Sequence, residues 1–307
     1  MMQKTAFIFP GQGSQSIGML ANIAEQSPVI QQTFLEASET LGYDLWALVM
    51  QGPKEKLDQT EFTQPAILTA SVALWRLWCL GQKPLPTVLA GHSLGEYSAL
   101  VCANALTFTD ALSLVTLRGK LMQSAVPEGV GAMAAILGLK AEMIEQICER
   151  LPGAEVVFPA NYNTPEQTVI AGHKAAVERV MQEAQKEGAK RTIPLPVSVP
   201  SHCELMKPAA HLLEEALYSI PFQLPIIPVI HNVDAAPRMK IVDIRLALVD
   251  QLYKPVRWVQ TVQAIAKLGV TEMWECGPGN VLSGLNKRIN AAIVCQPLSN
   301  GEAYVLT

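Results

Sequence analysis

The chain has 307 residues, half of them hydrophobic and 16% charged, with a formal net charge of −4. That length and composition support a large buried core and exclude a disordered or fibrous protein, leaving one large domain or a large domain with a small one. The slight acidity gives no overall attraction to nucleic acid or to an anionic membrane, so neither is an expected partner.

In chain order, the apolar run after Met1 is too short for a signal segment, and residues 5–9 read as a strand. The strand ends in Gly11-Gln12-Gly13-Ser14-Gln15, a loop without bulky residues. Helical patterns follow over 29–41 and 63–80, the second with Thr63 as cap and Pro65 in the first turn. The apolar stretch from Ala66 to Leu80 contains Arg76, so it reads as a core helix and not a membrane span. Residues 87–90 form a short apolar strand and 94–103 a packed helix. Thr109 and Asp110 are expected to cap another helix, which carries Arg118 and Lys120 and fades before Pro127.

The texture changes at Gly131. Strand 131–137, helix 141–151, strands 156–161 and 167–171, helix 174–187 and strand 190–195 spell β-α-β-β-α-β, a ferredoxin-like unit. The larger pattern then resumes with a helix from 205 to 219, a strand at 228–230 and helices near 241–252 and 258–268. A strand at 271–275 and a Gly277-Pro278-Gly279 turn lead into a last helix. Strands alternating with helices imply an α/β body with a mostly parallel sheet, built from 1–127 and 198–307 and interrupted by a small subdomain over 128–197.

The segment Gly91-His92-Ser93-Leu94-Gly95 lies between an expected strand and an expected helix. A strand entering a helix through Ser forces a tight turn, and Gly on either side avoids a Cβ clash. The turn lifts the Ser93 hydroxyl clear of the backbone and aims the first helix amides at whatever it attacks. Such a serine needs a base, and five histidines are available. His92 should point away from Ser93 by strand alternation. His173 and His211 read as structural residues within helical patterns, and His231 lies at a strand end. His202 stands out because it lies in the proline-bounded loop Pro196-Val197-Ser198-Val199-Pro200-Ser201-His202-Cys203, which returns from the insert to the body and can face a cleft. An α/β-hydrolase runs Ser, acid, His, yet the only aspartate between Ser93 and His202 is Asp110, which reads as a cap. The base is therefore oriented by a later residue or by a backbone carbonyl. Arg118 on its apolar helix reads equally as a solvated face residue or as a fork for a free carboxylate.

Several segments then point one way together. Gly11-Gln12-Gly13-Ser14-Gln15, Gly91-His92-Ser93-Leu94-Gly95-Glu96-Tyr97, the Arg118 helix and Val199-Pro200-Ser201-His202-Cys203 follow in order. Asn232-Val233-Asp234, Gln251-Leu252-Tyr253-Lys254-Pro255-Val256 and Gly277-Pro278-Gly279 come after them. With Asn161-Tyr162-Asn163-Thr164-Pro165 in the insert, the chain resembles over nearly its whole length the malonyl-CoA:acyl carrier protein transacylases of bacterial type II fatty acid synthesis. The resemblance implies an α/β-hydrolase-like body, an acyltransferase activity and malonyl-CoA as substrate. It implies Ser93 as nucleophile, His202 as base and the backbone N–H groups of Gln12 and Leu94 as oxyanion donors. It also gives Arg118 the malonyl carboxylate and a main-chain carbonyl near Gln251 the orientation of His202.

Acyl carrier proteins are acidic, so a basic docking face is expected. Lys186, Lys190 and Arg191 cluster at the end of the insert, and Lys287-Arg288 close the last helix; the same residues also complement a helix C-terminus. No metal or bound cofactor is expected. Six cysteines without C-x-x-C spacing suggest neither zinc nor disulfides; they read as small buried hydrophobes in a reducing cytoplasm. Gln64 and Asn163 are further candidates for the cleft wall, and a monomer is expected. A serine hydrolase, a non-catalytic scaffold and a polyketide extender-unit loader are the rival readings. The acid missing between Ser93 and His202 weighs against the first, and the Ser93–His202 pair against the second.

Overall fold

The computed structural model describes residues 4–150, 155–197 and 199–300. Expectations placed on the chain ends, on Leu151 at the close of the first insert helix and on Ser198 at the domain boundary lie outside these residues. In chain order the strands are β1 (Thr5–Phe9), β2 (Val88–Gly91), β3 (Gly131–Leu137), β4 (Val157–Thr164), β5 (Gln167–His173), β6 (Arg191–Pro194), β7 (Val229–Ile230), β8 (Glu272–Glu275) and β9 (Val294–Pro297).

One sheet runs β7-β2-β1-β8-β9 with every neighbouring pair parallel. Beyond Thr5, β1 and β2 carry no polar side chain because helices cover both faces of the sheet. Phe7 and Phe9 join a core with the helices Pro28–Leu41, Thr60–Leu80 and Phe108–Ser124, while Ala6 and Ile8 join Met273, Trp258 and Val262 on the other face. Phe7 meets Trp75 and Trp78 edge-on at ring distances of 5.2 and 5.0 Å.

Two expected caps move. The long helix starts at Thr60, not Thr63, and the Thr63 hydroxyl donates instead to the carbonyls of Leu57 and Gln59, leaving Pro65 in the second turn. Thr107 caps the Phe108–Ser124 helix, accepting from the Asp110 N–H at 3.1 Å while its hydroxyl donates to the Asp110 carboxylate. Asp110 is thus the third helical residue, bonded to the cap, and not the cap itself. The short helices Ala21–Ala24, Leu45–Gln51 and Lys54–Leu57 and the edge strand β9 are elements that the sequence pattern does not predict. Each is too short for its periodicity to register.

The other sheet runs β4-β5-β3-β6, all antiparallel, which is the ferredoxin-like order. Helices Ala141–Arg150 and Lys174–Lys186 cover one face through Ile144, Ile147, Val177 and Val180. The opposite face, with Met133, Ala135, Val169 and Ala171, packs against Cys203 of the body. β4 also ties to the body directly: the Tyr162 N–H donates to the Val256 carbonyl, and the Val256 N–H to that of Ala160, each at 2.9 Å. The insert therefore roofs the carboxyl edge of the parallel sheet, where open α/β sheets bind ligands. Among the described residues no helix is long and apolar enough to cross a membrane.

Candidate active site

Ser93 sits at the corner between β2 and the helix Gly95–Cys102 with φ 52°, a left-handed conformation that is costly for a residue with a side chain. The turn is so tight that a Cβ on Gly91 would lie 1.9 Å from the Gly95 carbonyl carbon, and one on Gly95 would lie 2.0 Å from the Phe9 oxygen. Asn232, just beyond β7, holds the corner in place. Its side-chain oxygen accepts the Ser93 N–H at 2.7 Å and its amide group donates to the Gly91 carbonyl at 2.6 Å.

His202 comes from the loop that re-enters the body and also takes a left-handed backbone, φ 61°. Its Nδ1 lies 2.6 Å from the Gln251 carbonyl and its Nε2 lies 2.8 Å from Ser93 Oγ. A carbonyl can only accept, so Nδ1 carries the proton and Nε2 is left to accept from the hydroxyl. The ring is buried at 3% exposure. Burial first, and then the neighbouring Arg118 charge, push its pKa down to about 3, against the opposing pull of the Gln251 carbonyl. At neutral pH the imidazole is an uncharged acceptor.

Arg118 is not a solvated face residue: only 1% of it is exposed. Nη1 donates to Gln64 Oε1 at 2.8 Å, and Nη2 donates to Gln251 Oε1 at 3.0 Å and reaches Ser93 Oγ at 3.5 Å. The guanidinium carbon lies 5.4 Å from the centre of the Tyr97 ring. Ser93, His202, Arg118, Gln12 and Leu94 all line one cavity of about 120 Å³, walled by Met133 and Leu195 of the insert, Val197 and Val199 of the linking loop and Met122 of the body. Among the described residues neither the Leu94 nor the Gln12 backbone N–H meets an acceptor within the protein. The cleft thus presents a hydroxyl, an uncharged imidazole acceptor, a fixed cation and two candidate oxyanion donors to one small ligand.

The other histidines fall elsewhere. His92 Nε2 bonds Asn163 Oδ1 of β4 at 2.8 Å and its ring stacks edge-on with Trp258, so it clamps insert to body. His231 is fully buried beneath the corner, His173 precedes an insert helix and accepts from the Val156 N–H, and His211 lies in the Lys207–Ser219 helix. Gln64 is fully buried and serves Arg118. Only Cys102, Cys203 and Cys276 are buried; Cys79 is exposed and Cys148 and Cys295 half-buried, because the helix faces and sheet edge that carry them look outward. No group of three or more His, Cys, Asp or Glu side chains among the described residues could hold a metal ion.

Of the basic candidates, Lys190, Arg191 and Arg288 lie around the β5 and β6 edges of β3, and Lys287 is exposed beside Arg288 in the last turn of the Val281–Ile289 helix. Lys190 pairs with Glu166 at 3.3 Å, Arg288 reaches Gln167 at 3.5 Å, and Arg191 and Gln167 flank Leu137 on adjacent strands. Lys186 turns to Glu183 at 3.1 Å. Sequence reasoning missed Glu96 and the Gln251 side chain. A Glu in the first turn of a helix reads as an ordinary surface residue favoured by the helix dipole, yet Glu96 is fully buried.

Residues 6–282 match the model of the acyl transferase domain. The chain is 55% identical over 302 residues to the malonyl CoA-acyl carrier protein transacylase of Salmonella typhimurium, covering 98% of each. Its fold superposes with a TM-score of 0.97 on the transacylase of that name from Coxiella burnetii, at 53% identity over 99% of this chain and 96% of that one. The same TM-score and identity, over 99% and 98%, relate it to a malonyl-transacylase solved in complex with a type II polyketide acyl-carrier protein. The protein is an acyltransferase with an α/β fold, and it belongs to the malonyl CoA-acyl carrier protein transacylase family.

Proposed function

We propose that this chain moves the malonyl group from malonyl-CoA to the phosphopantetheine thiol of acyl carrier protein through a malonyl ester on Ser93, supplying fatty acid elongation in the cytoplasm. The observation that carries the reading is the convergence on Ser93 Oγ of His202 Nε2 at 2.8 Å and Arg118 Nη2 at 3.5 Å. A hydroxyl with a base on one side and a guanidinium on the other suits an acyl group that ends in a carboxylate.

The Ser93 proton passes to His202 Nε2 as Oγ bonds to the thioester carbon, and the negative charge moves onto the carbonyl oxygen. The Gln12 and Leu94 N–H groups receive that oxyanion, where losing one such donor costs about 10²–10³ in rate. The C–S bond then breaks and His202 returns its proton to the CoA thiolate. The carrier thiol reverses the sequence, giving its proton to His202 as its sulfur bonds to the acyl carbon, and Ser93 recovers a proton as it leaves. Arg118 holds the malonyl carboxylate through two parallel hydrogen bonds, a geometry that Lys does not reproduce. Because Arg118 depresses the His202 pKa, a carboxylate paired with it makes the imidazole a stronger base once malonyl is bound. Every step is an acyl or proton transfer, so the scheme calls on no metal or organic cofactor. The carrier protein approaches over the face bearing Lys190, Arg191, Lys287 and Arg288.

Mixing enzyme with malonyl-CoA alone and quenching rapidly should leave one malonyl group per chain on Ser93, located by peptide mass spectrometry. Absence of that ester before steady state would overturn the two-step scheme.

A further inference from the structure

Arg118 carries a positive charge at 1% exposure, and a buried cation needs a counter-charge. Among the described residues its hydrogen-bond partners are all uncharged: Gln64, Gln251 and Ser93. The nearby carboxylate is one residue further back. Glu96, fully buried under the corner, accepts from Gln251 Nε2 at 2.9 Å, while Gln251 Oε1 faces Arg118.

An amide has one donating and one accepting end. Glu96 Oε2 and the Ser93 carbonyl, each 2.9 Å from Gln251 Nε2, fix the donating end, so the oxygen must face the guanidinium. The remaining contacts of Glu96 come from the Asn232 N–H at 2.9 Å and His231 Nδ1 at 2.7 Å. His231 Nε2 is buried without a partner among the described residues, which suits a neutral ring donating from Nδ1 and leaves the charge of the cluster on Glu96. Burial pulls the Arg118 pKa down, and Glu96 is among the groups that push it back up.

We propose that Glu96 is the resident counter-ion of Arg118, held back behind the Gln251 amide so that charge is balanced while the guanidinium stays open to the substrate carboxylate. A carboxylate in direct contact would occupy the donors that the diacid needs. With no carboxylate nearby, malonyl would be held so firmly in substrate and product alike that binding would gain and turnover would not. Glu96 is thus a positioning and charge-balancing residue, and Gln251 contributes to acyl choice through its side chain as well as to His202 through its carbonyl.

The inference rests on the assignment of Arg118 to the malonyl carboxylate, and its test is separate from the chemistry on Ser93. In a Ser93→Ala background, calorimetry gives Kd for malonyl-CoA and for acetyl-CoA, the acetyl thioester serving as the neutral reference. Gln251→Glu, which brings a carboxylate into contact with Arg118, should weaken malonyl-CoA about 10-fold or more relative to acetyl-CoA. Glu96→Gln keeps the shape and lets His231 switch tautomer to accept from the new amide. It should tighten malonyl-CoA about 5-fold relative to acetyl-CoA. A malonyl-to-acetyl ratio unmoved by either substitution overturns the proposal, as does a Glu96→Gln shift toward weaker malonyl binding. If Glu96→Gln does not fold, Gln251→Leu, which removes the amide between Glu96 and Arg118, decides, and a malonyl-to-acetyl ratio unmoved by it overturns the proposal. A failure of the covalent scheme would appear elsewhere, as a missing ester on Ser93 in the otherwise unsubstituted enzyme.

Discussion

The body and the insert meet at one cleft but are built to opposite purposes. In the body the polar groups are drawn inward, strained and hydrogen-bonded to one another: half-buried Ser93 and buried His202 hold left-handed backbones, and buried Asn232, Gln251 and Glu96 lock the corner from below. The insert contributes the apolar wall, Met133 and Leu195, with Asn161 at its edge. Its own core and both helices lie on the far face of its sheet. Reactive groups need fixed geometry to within fractions of an ångström, so they sit where the packing is deepest. A wall only has to match a shape, and a small sheet laid over the cleft suffices.

That contrast can be broken most severely from the body side. His202→Ala should lower the rate of acyl-serine formation by about 10³–10⁴, since the proton acceptor disappears while the oxyanion donors remain; rapid-quench kinetics measures it. Arg118→Ala comes next, with malonyl transfer falling about 10²-fold or more relative to acetyl transfer. Equal loss on both acyl groups would remove Arg118 from acyl choice. The same variant carries a pH signature. The guanidinium disfavours the imidazolium, so removing it raises the His202 pKa above its present value of about 3, although burial continues to hold it down. The acidic limb of acetyl transfer should therefore move to higher pH, and a limb that stays in place or moves lower contradicts the coupling.

Insert substitutions should be gentler and of a different kind. Met133→Ala removes bulk from the roof of the cleft, so the kcat/KM for methylmalonyl-CoA should rise about 10-fold relative to malonyl-CoA. Loss of the ester on Ser93 in that variant would instead make the insert part of the chemistry. Smallest of all, reversing charge at Lys190, Arg191, Lys287 or Arg288 should raise KM for the carrier protein a few-fold, about 2–5 per site, and steepen at low salt. The KM for malonyl-CoA should barely respond. If both substrates respond alike, this face is not where the carrier docks.

Much of this is legible in the sequence. The Gly91-to-Gly95 corner, the order of the insert elements and the positions of Ser93 and His202 are carried by local patterns, because a tight turn and a β-α-β-β-α-β alternation leave marks within a few residues. The helix Leu45–Gln51, marked only by Asp44 at its start and Gly52 at its end, and the edge strand β9 are too short for a period to show. The Thr63 cap failed because Thr60 and Thr63 are equally plausible starts until the chain around Leu57 is folded against them.

By itself, then, the sequence determined the α/β framework and which residues are candidates for its chemistry, since periodicity, turn residues and motif spacing are properties of short stretches. The tertiary structure alone decided that Arg118 is buried, that Gln251 serves His202 with its backbone and Arg118 with its side chain, and that Glu96 stands behind both. These facts join residues separated by as many as 155 positions, and burial and hydrogen bonding at that range come into being only when the chain has packed.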